Sequence, residues 1–307
     1  MQESVRPVTP SETNTAAEGA RRGFLFALAA YGLWGFLPLY MKAVAHIPSL
    51  EVVAHRIFWS VPVAGITLLV LGLTGDIKAA LRSPRTLAMA TVTAALITVN
   101  WGTYVWAIAV DRTVETALGY YINPLVTVLL GAVLLGEKLS KPQIVAICLA
   151  VVAVGVLTFD AGGLPWVSLV LAFSFAAYGY LRKTLPVGPS QGFFLEVLIL
   201  CLPCLGYIVW LESTGQGHFF DSASNVGLLL FAGPATAVPL ILYAFGAKLL
   251  RFSTIGIMQY IAPTVIAAIG VFLFGEPFGP ARMLAFGLIW VALALYTWSM
   301  FFGKGRS

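Results

Sequence analysis

Charge is scarce in this chain. Only 10% of its 307 residues are Asp, Glu, Lys or Arg, whereas an ordinary soluble domain carries about a quarter. So few ionised groups cannot cover a water-facing surface, and a soluble globular architecture is excluded. Cysteine is scarcer: Cys148, Cys201 and Cys204 all fall inside apolar stretches, which argues against a disulfide framework or a zinc site of usual spacing. The Cys201-Leu202-Pro203-Cys204 run has redox spacing but lacks the soluble βαβ setting that motif needs. Neither H-E-x-x-H, nor a nucleophile elbow, nor a paired-Asp metal motif is expected. Neither a metal nor a cofactor is expected.

What is present is apolar. Hydrophobic residues make up 59% of the chain, the mean hydropathy is +0.91, and apolar stretches recur from Gly23 to Phe302 with short polar gaps. Each is about 20 residues long, enough to cross roughly 30 Å of hydrocarbon as a helix. Turn residues between them predict ten spans, starting near Gly23, Glu51, Thr86, Val114, Pro142, Leu164, Ser190, Val226, Ser253 and Ala281. Only Asp160-Ala161-Gly162-Gly163 separates the fifth from the sixth, and merging them would reverse everything downstream. Residues 1–22, polar and ending in Arg21-Arg22, read as a disordered cytoplasmic tail. Ala43-Val44-Ala45 imitates a signal-peptidase site. The preceding stretch is long and carries Trp34, Pro38 and Lys42, however, so a retained first helix is expected.

The net charge of +5 does not point to nucleic acid, because the basic residues lie in the gaps between spans. Short cytoplasmic loops concentrate Lys and Arg. With the tail inside and ten spans, the cytoplasmic set is Arg6, Arg21, Arg22, Lys78, Arg82, Arg85, Lys138, Lys141, Arg182, Lys183, Lys248, Arg251, Lys304 and Arg306, fourteen of the eighteen basic residues. Both termini are then cytoplasmic, with residues 303–307 as a second short tail. The protein is expected to lie across a lipid bilayer, the bacterial inner membrane.

An internal repeat organises the spans. At an offset of 139 residues, Arg112, Tyr121-Ile122, Pro124, Val126, Gly131, Leu134 and Gly136-Glu137 recur as Arg251, Tyr260-Ile261, Pro263, Val265, Gly270, Leu273 and Gly275-Glu276. The repeat equates span four with span nine. Five spans separate them, an odd number, so the two copies run in opposite directions. The fold class predicted is all-α integral membrane, ten helices in two inverted five-helix repeats over 23–160 and 161–302. Inverted repeats are the build of many secondary transporters.

Polar groups inside spans are expensive and mark functional candidates. Glu51 and His55 lie four residues apart on one face of span two, and Arg56 points about 100° away from His55. Lys42 at the end of span one, with Arg112 and Glu115 at the start of span four, falls at similar depth, as a cationic vestibule or a structural charge network. Arg56 either pairs with Glu115 or Glu51 or meets an anionic group of a solute, since guanidinium presents a planar fork. His55 is either a satisfied interface histidine or the carrier of a coupling proton. Asn100, Trp101, Tyr104, Tyr120 and Asn123 lie too deep for an interfacial belt and read as a cavity lining or as glue between helices. The repeat supplies Gln259 and Tyr260 at corresponding places, so a pseudo-symmetric pocket is expected. Pro124, Pro239 and Pro263, with Pro234, are candidate helix kinks.

From Gly23 to Phe302 the chain resembles bacterial drug/metabolite transporters of the EamA family, within it the RarD subgroup. The resemblance rests on Tyr31-Gly32-Leu33-Trp34-Gly35 with Pro38-Leu39-Tyr40-x-Lys42, Ala54-His55-Arg56-x-x-Trp59-Ser60, Asn100-Trp101-x-x-Tyr104-x-Trp106-Ala107, Leu118-Gly119-Tyr120-x-Ile122-Asn123-Pro124-Leu125, Tyr178-Gly179-x-Leu181-Arg182-Lys183, Thr236-Ala237-x-Pro239-Leu240 and Gln259-Tyr260-Ile261-x-Pro263-Thr264. It departs at Val110-Asp111, where a polar amide is expected. The resemblance implies a ten-helix inner-membrane carrier of small metabolites or drugs, working without ATP and without being an enzyme. The competing class, an intramembrane enzyme acting on a lipid or isoprenoid, would need a catalytic set that His55 and Arg56 alone do not make.

Overall fold

A computed structural model of the protein describes residues 10–135, 139–161, 163–250 and 258–302. The described secondary structure is entirely helical: α1 (Pro10–Ala43), α2 (Ser49–Val70), α3 (Gly75–Leu81), α4 (Pro84–Ala109), α5 (Thr113–Leu135), α6 (Lys141–Ala161), α7 (Trp166–Thr184), α8 (Pro189–Ser213), α9 (Ala223–Leu249), α10 (Ile261–Ala268) and α11 (Pro280–Phe302). A π-helical segment, Ile269–Leu273, continues α10. Eight of these helices are long and apolar enough to cross a membrane, and two shorter apolar helices cover Trp166–Arg182 and Ile261–Leu273.

Local sequence fixes the helix ends. Ser83 accepts from the Thr86 backbone N–H at 3.3 Å with Pro84 in the first turn, and Ser222 accepts from Asn225 N–H at 3.1 Å, both N-cap chemistry. Gly72 and Gly215, at φ +66° and +69°, follow the C-termini of α2 and α8, where the left-handed conformation frees glycine's neighbours to turn away.

Two expectations are revised. The tail does not remain irregular over 1–22: α1 starts at Pro10, because proline suits a first helical turn and the Ala-rich stretch that follows has high helix propensity. The short helix α3 was not expected, since seven residues give little periodicity. α6 and α7 are separate helices, as the ten-span reading required. Residues 1–9, Gly136-Glu137-Lys138, Gly162, the expected span start at Ser253 with Arg251, and the 303–307 tail lie outside the described residues.

Burial is inverted relative to a soluble protein. Phe159, Leu202 and Phe272 are exposed on the perimeter, whereas Glu51, Arg56, Ser60, Thr93, Asn100 and Glu196 are buried. Apolar lipid tails favour the first arrangement, and polar groups then gather in the bundle interior. The principal helix neighbours are α1 with α9 and α10, α2 with α8 and α9, α4 with α7 and α8, α5 with α7 and α10, and α6 with α11. Missing side chains permit close approach: a Cβ at Gly119 would stand 2.8 Å from the Ser168 carbonyl oxygen across the α5–α7 contact.

One contact joins distant parts of the chain. The buried Glu276 carboxylate, just beyond the π segment, accepts from the backbone N–H groups of Thr113 at 2.6 Å and Val114 at 2.9 Å. Those are orphan donors at the start of α5, where a negative charge also opposes the helix dipole.

Candidate functional site

Arg56 lies eight residues into α2, about 10 Å from its start at 1.5 Å per residue, and is 3% exposed. Its Nε donates to Thr236 Oγ1 of α9 at 3.0 Å. Its guanidinium sits 5.0 Å from the Trp101 ring centroid, a cation–π contact. Tyr40, Tyr104 and Tyr120 are its other electrostatic neighbours. Its Nη1 has no hydrogen-bond partner, nor has the buried Tyr104 hydroxyl.

The carboxylates expected to pair with Arg56 are engaged elsewhere. Glu51 accepts from the His218 backbone N–H at 2.8 Å and contacts His218 Nδ1 at 2.7 Å. Glu115 accepts from Arg112 Nε and Nη2, both at 2.7 Å. Arg112 in turn lies over Trp106 and Trp166, and Lys42 pairs with Asp111. Among the described residues the charges at this end of the bundle form separate local pairs, and none of them includes Arg56. A buried cation without an anion is costly, so the ion-pair reading of Arg56 is replaced by that of a guanidinium presented to the interior.

His55 turns to another side of α2. Its ring stacks on Phe219 with centroids 5.1 Å apart, and its Nδ1 accepts from Trp59 Nε1 at 3.2 Å, which puts any ring proton on Nε2. It borders a cavity of about 490 Å³ walled by Phe58, Trp59, Ile208 and Val209, between α2 and α8. Phe219 belongs to the 214–222 connection that Glu51 grips through His218. Asn225 extends the grip, donating to the His218 carbonyl at 2.9 Å and meeting His46 at 2.9 Å.

The two amides act differently from the rings beside them. Asn100 donates to the Leu171 carbonyl at 3.0 Å and Ser174 Oγ at 2.9 Å, and Asn123 donates to the Ala172 carbonyl at 3.1 Å. Both are spent fastening α7 to α4 and α5. Only the Asn100 oxygen faces the site, 3.4 Å from the Tyr120 hydroxyl, and Tyr120 lies against Tyr104. Tyr260 belongs to a different cluster. It stacks on Tyr121, which meets Thr264 through their hydroxyls at 2.5 Å and packs on Phe286 and Trp290. Gln259 adjoins this second cluster in sequence. The structure thus brings Arg56, Trp101, Tyr104 and Tyr120 together, and leaves Asn123, Gln259 and Tyr260 apart from them. Pro124 and Pro239 fall inside α5 and α9, whereas Pro263 is in the first turn of α10, where its missing N–H breaks no helical bond.

Sequence reasoning missed Tyr40, Thr236 and a second polar cluster. Glu196 of α8 is 2% exposed. It accepts from the Tyr178 hydroxyl at 3.0 Å and meets Arg182 Nη1 through Oε1 at 3.5 Å, with Thr93 in electrostatic reach. Its Oε1 has no hydrogen-bond partner. A lone carboxylate in an apolar run was the available signal. The Gly188-x-Ser190-x-Gly192 spacing nearby has the letters of a nucleophile elbow, but Gly188 caps a helix with no strand before it.

Residues 21–159 match the EamA-like transporter family. The chain is 43% identical to the protein RarD of Streptomyces exfoliatus, covering 91% of this chain and 89% of that one. It is 38% identical to an uncharacterized transporter of Pseudomonas aeruginosa, covering 92% and 95%. A solved crystal structure shares the fold at a TM-score of 0.60 and 20% identity, covering 93% of this chain and 98% of the other. The buried guanidinium and its aromatic surround thus lie within a bundle related to RarD: the chain belongs to the EamA-like transporter family and is a multi-pass bacterial membrane transporter of the RarD type.

Proposed function

We propose that the protein is a secondary transporter that binds a small organic anion at Arg56 and carries it by alternating access between two inverted five-helix halves, 23–160 and 161–302. The observation that carries the anionic reading is Arg56 itself, buried, with no carboxylate partner among the described residues, and with Nη1 unpartnered beside the unpartnered Tyr104 hydroxyl. An anionic group accepting from both would satisfy them, while the faces of Trp101 and Tyr120 would receive an apolar or aromatic moiety.

The helix neighbours support the inverted halves independently of the repeat. Counting the apolar helices α1, α2, α4, α5 and α6 as one half and α7, α8, α9, α10 and α11 as the other, exchange of corresponding members turns α1–α9 into α7–α4. The same exchange turns α5–α7 into α10–α1 and α2–α9 into α8–α4. It returns α2–α8, α5–α10 and α6–α11 to themselves. All of these are neighbours. A site between such halves can be exposed to one side and then the other. With the basic loops cytoplasmic, the Glu51 end is outer and the Arg182 end inner.

Bacteria making the wild-type protein, Arg56→Ala or none are compared by untargeted measurement of small solutes in cells and medium. The wild type shifts a set of solutes that is predominantly anionic, and Arg56→Ala, inserted in equal amount, abolishes the shift. The same shift from Arg56→Ala overturns the site, and a shifted set dominated by neutral or cationic solutes overturns the anionic reading.

A further inference from the structure

Resting on that reading of the two halves, we propose that Glu196 is the protonatable group through which a proton is coupled to movement of the solute, at the place in α8 that corresponds to the Arg56 region of α2. Arg56 is the eighth residue of α2 and Glu196 the eighth of α8, exchange of halves maps α2 onto α8, and the 139-residue offset of the repeat takes Arg56 to Leu195, the immediate neighbour of Glu196. The companions map as well. Arg56 bonds Thr236 of α9, and Glu196 has Thr93 of α4 in electrostatic reach. Arg56 has Tyr40 of α1 in electrostatic reach, and Glu196 accepts from Tyr178 of α7. α9 and α4 are exchange partners, as are α1 and α7. The two halves thus present the same constellation at opposite depths with the charge inverted: a buried cation toward one face, a buried anion toward the other.

The sign decides the ligand. Arg56 recruits an anion and stays charged, whereas a carboxylate can accept a proton and become neutral. The titratable groups that face Glu196 are Arg182 and Tyr178, both from α7; α4 contributes Thr93, which does not titrate. Among the described residues, no ionisable side chain of α2, α3 or α9 adds to its electrostatics. Glycine at position 192, one turn before Glu196, leaves the space the Arg182 guanidinium occupies; a Cβ there would clash with Nη1. Proton and Arg182 compete for one charge. In the present state the carboxylate keeps Arg182 at 3.5 Å. Uptake of a proton on Oε1, the oxygen that faces Arg182 and takes no hydrogen bond, forms an O–H bond, removes the negative charge and releases the guanidinium. Loss of that proton to water restores the pair. The same cycle explains why His55 is not needed for coupling: its imidazole is turned away toward Phe219.

Two measurements test the assignment. Infrared difference spectra of the reconstituted protein, recorded as pH is lowered, will show the C=O stretch of a protonated buried carboxyl. Glu196→Gln removes that band. Arg182→Gln moves its midpoint to higher pH, since removing the cation favours the protonated form. Arg56→Ala leaves it in place, so failure here is separable from failure of the anion site. In cells, the solute gradient made by the wild type collapses when a protonophore is added, while Glu196→Gln moves the same solutes without protonophore sensitivity. A carboxyl band that survives Glu196→Gln, a midpoint unmoved in Arg182→Gln, or protonophore-sensitive transport by Glu196→Gln overturns the proposal.

Discussion

Removing the Glu276 carboxylate should loosen the protein by an amount the geometry sets. It satisfies two backbone donors at the start of α5, at 2.6 and 2.9 Å, in a site 5% exposed. A hydrogen bond to a charged group contributes about 1.5–3 kcal/mol, and a buried donor left unsatisfied costs a similar amount. Glu276→Ala forfeits both bonds, a loss of roughly 3–6 kcal/mol on that scale. Glu276→Gln keeps one acceptor oxygen but loses one bond and the favourable charge at the helix N-terminus, the latter worth about 1 kcal/mol. It should therefore fall between the wild type and Glu276→Ala, at roughly 2–4 kcal/mol. Reversible unfolding in mixed detergent micelles, followed by circular dichroism, measures both variants. Glu276→Gln within about 0.5 kcal/mol of the wild type, the range of an uneventful surface exchange, would refute the capping argument. So would Glu276→Ala being no worse than Glu276→Gln.

Other perturbations have equally definite outcomes. Arg56→Met forfeits the Thr236 bond, about 1.5–3 kcal/mol, and the Trp101 contact, about 2 kcal/mol, but removes a buried charge whose desolvation costs several kcal/mol. Its unfolding free energy in the same micelles should stay within about 2 kcal/mol of the wild type while solute transport is lost; a collapse in stability would reveal an anionic partner. Gly119→Ala drives a Cβ against the Ser168 carbonyl oxygen and should cost roughly 1–3 kcal/mol by overpacking, read by the same titration. Glu51→Gln weakens the grip on His218, so limited proteolysis should cut the 214–222 connection faster, and an unchanged cutting rate would count against that grip.

Most helix starts were legible in the sequence because Pro84, Pro189 and Pro280 stand near the first turns of apolar runs and Ser83 and Ser222 cap theirs. The polar start of α1 was not, since an Ala-rich polar helix carries no apolar stretch to announce it, and α3 was too short. At the site, Arg56 stood out because a cation in an apolar run is expensive wherever it is. Its company depended on which helices adjoin, and Tyr40 and Thr236 are local to nothing near position 56. Glu196 met the same criterion as Arg56, but its cation sits fourteen residues upstream on another helix, a spacing with no local meaning. Asn100 and Asn123 misled because an amide in a span can line a cavity or bind a carbonyl across an interface. Here α7 comes close enough for the second.

The list of helix neighbours also bears on how the chain is made. α1 rests on α9 and α10, α5 on α7 and α10, and α6 on α11, so the helices of the first half find their main partners in the second. A ribosome that has delivered α1 through α6 has released a set of spans lacking most of their native neighbours, with the α5 N-terminal donors still waiting for residue 276. Arrested or truncated products of this gene should therefore be handled by membrane quality control as unassembled protein, and a premature stop well into the second half should be as damaging as an early one.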